Sequence, residues 1–177
     1  MRDHVSIKTI VFILILVVAA LPSFAQRGDD AERASKNGQV SGTIDGVEVT
    51  VDYGRPNVKG REIWGGLVPY GEVWRTGADE ATTITLSEDV MVEGQALPAG
   101  KYALFTIPGE QEWTVIFNKT AKQWGAFKYD SGQDALRVTV APKNADLVES
   151  MGFEVKGPEV VLRWEELAVP ITIKAAD

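Results

Sequence analysis

Hydrophobic and polar positions alternate along much of the chain. In residues 47–53, Val47, Val49, Val51 and Tyr53 fall on one face, with Glu48, Thr50 and Asp52 on the other. That two-residue period belongs to a half-buried strand. Residues 40–44 lead into it through Asp45-Gly46, a dipeptide that accepts positive φ at both centres of a type I′ turn, so the pair predicts a hairpin. Further strand-like segments recur at 82–87, 90–93, 101–107, 113–118, 135–141, 152–156, 160–164 and 169–174. Glu88-Asp89, Gly94, Pro98-Ala99-Gly100, Pro108-Gly109, Pro142 and Gly157-Pro158 separate them, and such residues break strands and make turns. Only the stretch from Ala145 to Met151 suits even a short helix. Many short strands joined by glycine and proline turns predict an all-β fold, an antiparallel β-sandwich of jelly-roll or immunoglobulin-like type with little helix. No fixed repeat runs through the sequence.

The pattern differs at the N-terminus. Arg2 and Lys8 precede an unbroken apolar run over residues 10–21, followed by Pro22-Ser23-Phe24-Ala25. This is the three-part pattern of a secretory signal peptide, with cleavage expected after Ala25. The run is shorter than the roughly 20 residues a spanning helix needs, so no stable membrane insertion is expected after cleavage. No cysteine stands beside the cleavage site to carry a lipid, and the expected location is periplasmic or secreted. Residues 26–38 are charged or small without apolar period and are expected to form a disordered leader. The division is thus 1–25 signal peptide, 26–38 leader and 39–177 a single β-sandwich domain. A chain of about 150 residues buries roughly 68–70% of its unfolded surface and needs no disulfide or metal to hold it.

Between the second and third expected strands lies a long segment, residues 54–77. Structureless connections beyond roughly 12–15 residues are usually functional or disordered, and Ile63, Trp64, Leu67, Val68, Tyr70, Val73 and Trp74 carry too much apolar surface for disorder. Arg55, Lys59, Arg61 and Arg75 outnumber Glu62 and Glu72 within it. Arginine presents a planar fork to carboxylate, sulfate or phosphate, and Trp64, Tyr70 and Trp74 present flat faces on which sugar rings stack. With Asp79, Glu80 and Trp124, these residues make a candidate site for an anionic ligand or a glycan. A competing reading is structural: the arginines pair with Asp52, Asp79 and Glu80 while the aromatics close one end of the sandwich. Trp113 and Trp164 lie within strand patterns and are expected in the core.

Composition removes several chemistries. The chain has no cysteine, and its one histidine, His4, lies in the segment expected to be removed. Nucleophilic triads then lack their general base, and zinc, copper and haem lack their usual nitrogen and sulfur ligands. No cofactor is expected. The formal charge of −7 argues against nucleic acid as a partner. The stretch from Gly94 to Tyr102 resembles a phosphate loop but has the wrong spacing, a proline in the cradle and Tyr102 in place of the metal-binding hydroxyl. Asn118-Lys119-Thr120 matches a glycosylation acceptor. Carboxylates such as Asp79, Glu80, Glu88 and Asp89 are of the type that holds calcium, without a recognisable calcium loop.

Several motifs are more specific. Tyr53-Gly54-Arg55-Pro56, Lys59-Gly60-Arg61, Gly65-Gly66-Leu67-Val68-Pro69-Tyr70-Gly71, Val73-Trp74-Arg75-Thr76-Gly77-Ala78, Leu97-Pro98-Ala99-Gly100-Lys101-Tyr102-Ala103-Leu104 and Gln123-Trp124-Gly125-Ala126 resemble an exported bacterial family known as domain of unknown function 2911. The resemblance runs over nearly all of the chain after about Val40. It implies an exported bacterial β-domain and supplies no catalytic residues; where the family commonly has asparagine, this chain carries Asp79. The leading expectation is a non-catalytic binding or envelope-associated module whose partner is a glycan, a small anionic ligand or an envelope protein. The alternatives are a glycan-processing enzyme using two carboxylates among Asp52, Glu62, Glu72, Asp79 and Glu80, and a purely structural partner-binding domain. The oligomeric state is left open.

Overall fold

The computed structural model describes Arg27 and residues 29–176; the expected signal peptide and its cleavage site lie outside the described residues. The alternating segment 47–53 is the core of β2 (Val47–Arg55), which pairs antiparallel with β1 (Lys36–Ile44) from Ile44↔Val47 back to Lys36↔Arg55. Asp45 and Gly46 take φ of 49° and 86°, the tight turn that the dipeptide predicts. β1 therefore starts inside the segment expected as a disordered leader, with Lys36, Asn37 and Gly38 already on the ladder.

The remaining strands are β3 (Thr82–Leu86), β4 (Val90–Val92), β5 (Gln95–Leu97), β6 (Gly100–Ile107), β7 (Trp113–Asn118), β8 (Asp134–Val140), β9 (Lys143–Lys156) and β10 (Glu159–Ala175). They form two antiparallel sheets packed as a sandwich, a six-stranded one in the order β1-β2-β3-β6-β7-β8 and a four-stranded one in the order β5-β4-β10-β9. The fold is all-β, and the helix among the described residues is a single 3₁₀ turn at Ser131–Gln133.

Three local readings change. Residues 145–151, the one stretch suited to a helix, lie in β9, where Val148 pairs with Glu165 of β10. On the other side of β9, Ser150 bridges Asn57, the Val58 N–H donates to the Glu149 carbonyl and the Met151 N–H donates to the Pro56 carbonyl. Partners on both flanks satisfy the backbone of this stretch, and that outweighs a weak helical preference. The segments at 160–164 and 169–174 merge into β10, because the intervening residues are absorbed by bulges around Glu165, which takes φ of 54°. β5 is an added short strand, joined to β4 through Glu93-Gly94, both at positive φ.

The main core fills the space between the sheets. Val47, Val49 and Val51 from β2, Ile84 and Leu86 from β3, and Val160, Leu162 and Ile173 from β10 are buried there with Trp113 and Trp164. A second, smaller cluster lies on the opposite face of the six-stranded sheet. Ala81, Ala103, Phe105 and Ile116 are buried beneath Val73, Ala126 and Tyr129. The outer face of that sheet is therefore partly roofed by the segment after β7, and beside this roof lies the candidate site.

Candidate functional site

Register places the polar positions of three neighbouring strands side by side on the roofed face. Asp52 of β2 is opposite Thr83 of β3, and Thr85 of β3 is opposite Lys101 of β6. Asp52 is only 3% exposed. Its Oδ1 accepts a hydrogen bond from Gln39 Nε2 at 2.6 Å, and its Oδ2 lies 3.3 Å from Lys101 Nζ and 3.5 Å from Thr83 Oγ1. A buried carboxylate with a cation and two neutral donors around it is a satisfied one.

Asp52, Thr83 and Lys101 form part of the lining of a pocket of about 420 Å³. That volume is within the range of small-molecule sites, about 300–1,000 Å³. Glu80 and Lys122 add charge to the lining, and Trp124 adds an indole that is 61% exposed. The roof segment is tied down beside the pocket. The Ala81 N–H donates to the Gln123 carbonyl and the Gly125 N–H to the Asp79 carbonyl, both at 2.9 Å. Gln123 is anchored in turn, its Nε2 donating to the Thr120 carbonyl at 2.7 Å and to Asn118 Oδ1 at 3.1 Å. Thr76 and Asp79, in the turn before β3, hold φ of 55° and 62°. Non-glycine residues, and β-branched threonine most of all, adopt that region at a cost, and such strain collects at functional sites.

The N-terminal segment completes the arrangement. The Arg27 guanidinium is nearly buried and donates to the carbonyls of Asp52, Ala78, Glu80 and Ala81 at 3.0–3.3 Å. Burial pushes it below its ordinary value, with the Glu80 charge offsetting part of the effect. Arg33 grips Glu80 with two bonds, 2.6 Å to Oε1 and 2.7 Å to Oε2, and reaches Asp79 at 3.4 Å. Burial alone would raise the Glu80 carboxyl, but the Arg33 bonds, a backbone bond and the charge of Arg27 hold it below the ordinary carboxylate value.

The residues singled out in the sequence separate into several groups. Glu80 and Trp124 meet in this pocket. Asp79 stands beside it, engaged by Arg33. Arg55 is exposed and directs Nε to the Met151 carbonyl at 3.3 Å, while Arg61 folds back onto the Asn57 and Val58 carbonyls of its own loop. Lys59 occupies an exposed turn at φ of 50°, and Tyr70 is exposed on the surface. Trp64 and Trp74 join Trp113 and Trp164 in one aromatic cluster. Trp74 and Arg75 also line a second pocket. Segment 54–77 is therefore ordered but does not form a single site. The expected structural pairing also changes, because Asp79 and Glu80 are bridged by Arg33 and Arg27 from the N-terminal segment. Asp52 pairs with Lys101.

Thr83 and Lys101 line the pocket without a place in the sequence-derived site, Asp52 stood there only among the alternative carboxylates, and Arg27 falls in the expected leader. The glycosylation-like Asn118 is fully buried, donating to the Asp130 carbonyl and to Asp134 Oδ1. Among the described residues no group of three or more histidine, cysteine or acidic side chains is arranged to hold a metal ion, and no helix is long and apolar enough to cross a membrane.

The fold and pocket define a β-sandwich domain with a recessed cavity, lined by both apolar and charged side chains, on the outer face of its larger sheet. Residues 35–173 match the family described as protein of unknown function (DUF2911), and the chain belongs to it as a bacterial β-domain. Neither the curated proteins nor the solved structures contain a match to the chain.

Proposed function

We propose that this domain is an exported, non-catalytic binding module and that it holds a saccharide in the pocket beside Trp124. The observation that carries the reading is a tryptophan 61% exposed at the edge of a pocket that also contains the buried Asp52 and Thr83 and the half-buried Lys101. Exposed tryptophan stacks on the apolar face of a sugar ring, and a recessed set of acceptors and donors reads its hydroxyls. Lys122 widens the range to sugars carrying an acidic group.

Hydrolysis by a carboxylate pair is disfavoured. Such catalysis needs one carboxyl raised so that it stays protonated as a general acid. Glu80 shifts in the opposite direction under Arg33 and Arg27, and Asp52 faces Lys101 and Gln39. The export signal read in the first residues makes periplasmic or extracellular saccharides the accessible ligands.

The test is titration of the purified protein against a panel of neutral and acidic oligosaccharides, followed by calorimetry and product analysis. Binding without cleavage, weakened about tenfold by Trp124→Ala, is the expected result; tenfold corresponds to about 1.4 kcal/mol. Released sugars, or affinity unchanged by Trp124→Ala, would overturn it.

A further inference from the structure

The residues that follow Trp124 line a second pocket, of about 320 Å³, with a different character. Leu67, Val73, Trp74 and Phe127 give it apolar walls, and its charged groups are Arg75 and Glu72. Phe127 is 88% exposed and Leu67 46%, so part of this apolar surface has no cover among the described residues.

Arg75 is held rigidly at this pocket. The backbone of Trp74 exchanges two hydrogen bonds with Thr106, at 2.7 and 2.9 Å, and the Arg75 carbonyl accepts from the Thr82 N–H at 3.1 Å. Its side chain makes no hydrogen bond among the described residues; burial disfavours its charge, and the charge of Asp79, outside the pocket lining, offsets only part of that. Nε is buried without an acceptor, and among the described residues no carboxylate forms an ion pair with the guanidinium within 4 Å. Glu72 lines the same pocket without reaching it. Arg27 and Arg33 show the contrast, each meeting carbonyls or carboxylates through several bonds. A half-buried guanidinium lacking an acceptor is unfavourable until an anion completes it.

We infer that this pocket binds a small monocarboxylate with an apolar body, its carboxylate on Arg75 and its apolar part against Trp74 and Phe127. The guanidinium fork matches a carboxylate with two parallel bonds. Glu72 opposes ligands of higher negative charge such as inorganic phosphate, and the apolar walls disfavour a bare anion. The site is independent of the saccharide reading and uses none of the residues in the first pocket.

The experiment is calorimetric titration of the protein with phenylacetate, benzyl alcohol and inorganic phosphate. Phenylacetate is expected to bind at least tenfold more tightly than either of the others. Arg75→Met is expected to remove at least tenfold of the phenylacetate affinity while leaving benzyl alcohol unchanged, and Arg61→Ala to change neither. Because Arg75→Met alters a half-buried position, Phe127→Ser supplies a second variant at an exposed one and is expected to weaken phenylacetate severalfold. The inference is overturned by equal affinity for phenylacetate and benzyl alcohol, by phosphate binding as tightly as phenylacetate, by absence of phenylacetate binding, or by affinity indifferent to both variants.

Discussion

Trp74 stacks on Trp164 with ring centroids 5.9 Å apart and planes 19° from parallel. Trp64 closes the group edge-on, 4.9 Å from Trp113 and 5.7 Å from Trp164. The long segment after β2 is thereby bonded into the inter-sheet core through its two tryptophans. Trp164→Ala should cost about 3–5 kcal/mol of stability, the usual loss for truncating a packed tryptophan. Trp124→Ala should stay within about 0.5 kcal/mol, as expected of a surface side chain. Denaturant melts compare the two, and similar losses at both positions would contradict this division.

Glu80 supplies an acid-sensitive element. Its carboxyl is held below the ordinary value of 4.5 in the folded protein by Arg33 and Arg27, against the effect of burial. Its contribution to stability is fully present above that ordinary value and fades as pH falls through the lower folded-state value. The stability gap between the native protein and Glu80→Gln should therefore be wide near neutrality and shrink in acid below about pH 4.5. A gap that stays constant through this window would contradict the assignment.

Tyr129 acts at the opposite end of the scale. Burial and its 2.6 Å hydrogen bond to Asp134 push the phenol up to about 12. A group raised in this way contributes stability below its unfolded value of 10.0, and that contribution is lost as pH rises toward about 12. Melting curves of the native protein and Tyr129→Phe should diverge below pH 10 and converge across that interval. Ultraviolet titration should show a late-forming phenolate in the native protein that is missing from the variant.

Gly54 is the position least tolerant of a methyl group. A Cβ built there would come within 2.3 Å of the Ala78 carbonyl oxygen, and that backbone belongs to the turn carrying Asp79 and Glu80. Gly54→Ala should destabilise the fold by about 1–3 kcal/mol, the range for overpacking. Gly46→Ala, whose Cβ would meet nothing within 4 Å, isolates the cost of positive φ for comparison. Equal losses at the two positions would show that conformation, not contact, governs Gly54.

The strands were legible wherever one face is buried and the other wet, as with the valines of β2 and the hairpin turn at Asp45-Gly46. Residues 145–151 were not, because their strand state comes from partners distant in sequence, Asn57 on one flank and Glu165 on the other. The site was harder to read for a related reason. Asp52 and Lys101 occupy alternating polar positions that usually face water. The 119–130 segment and Arg27 of the N-terminal segment fold over that face and recess them, and nothing in their local pattern reports it. The arginines of segment 54–77 gave the opposite signal. Closeness along the chain suggested convergence, yet Arg55 ends a strand, Arg61 binds its own loop and Arg75 is pinned by Thr82.

The position of β10 sets an order of assembly. β4 and β9 both pair with β10, and β4 does so through Ile173, Lys174 and Ala175. A nascent chain can close the β1–β2 hairpin early, since that pairing is local. The smaller sheet lacks its central strand until β10 is available, so Val90, Val92 and Leu97 wait for it while the intervening strands are made. Pairings this distant in sequence slow folding and prolong exposure of sticky edges. Completion of the smaller sheet thus waits for β10, and loss of the Ile173–Ala175 pairing would remove the strap that binds β4 to the rest.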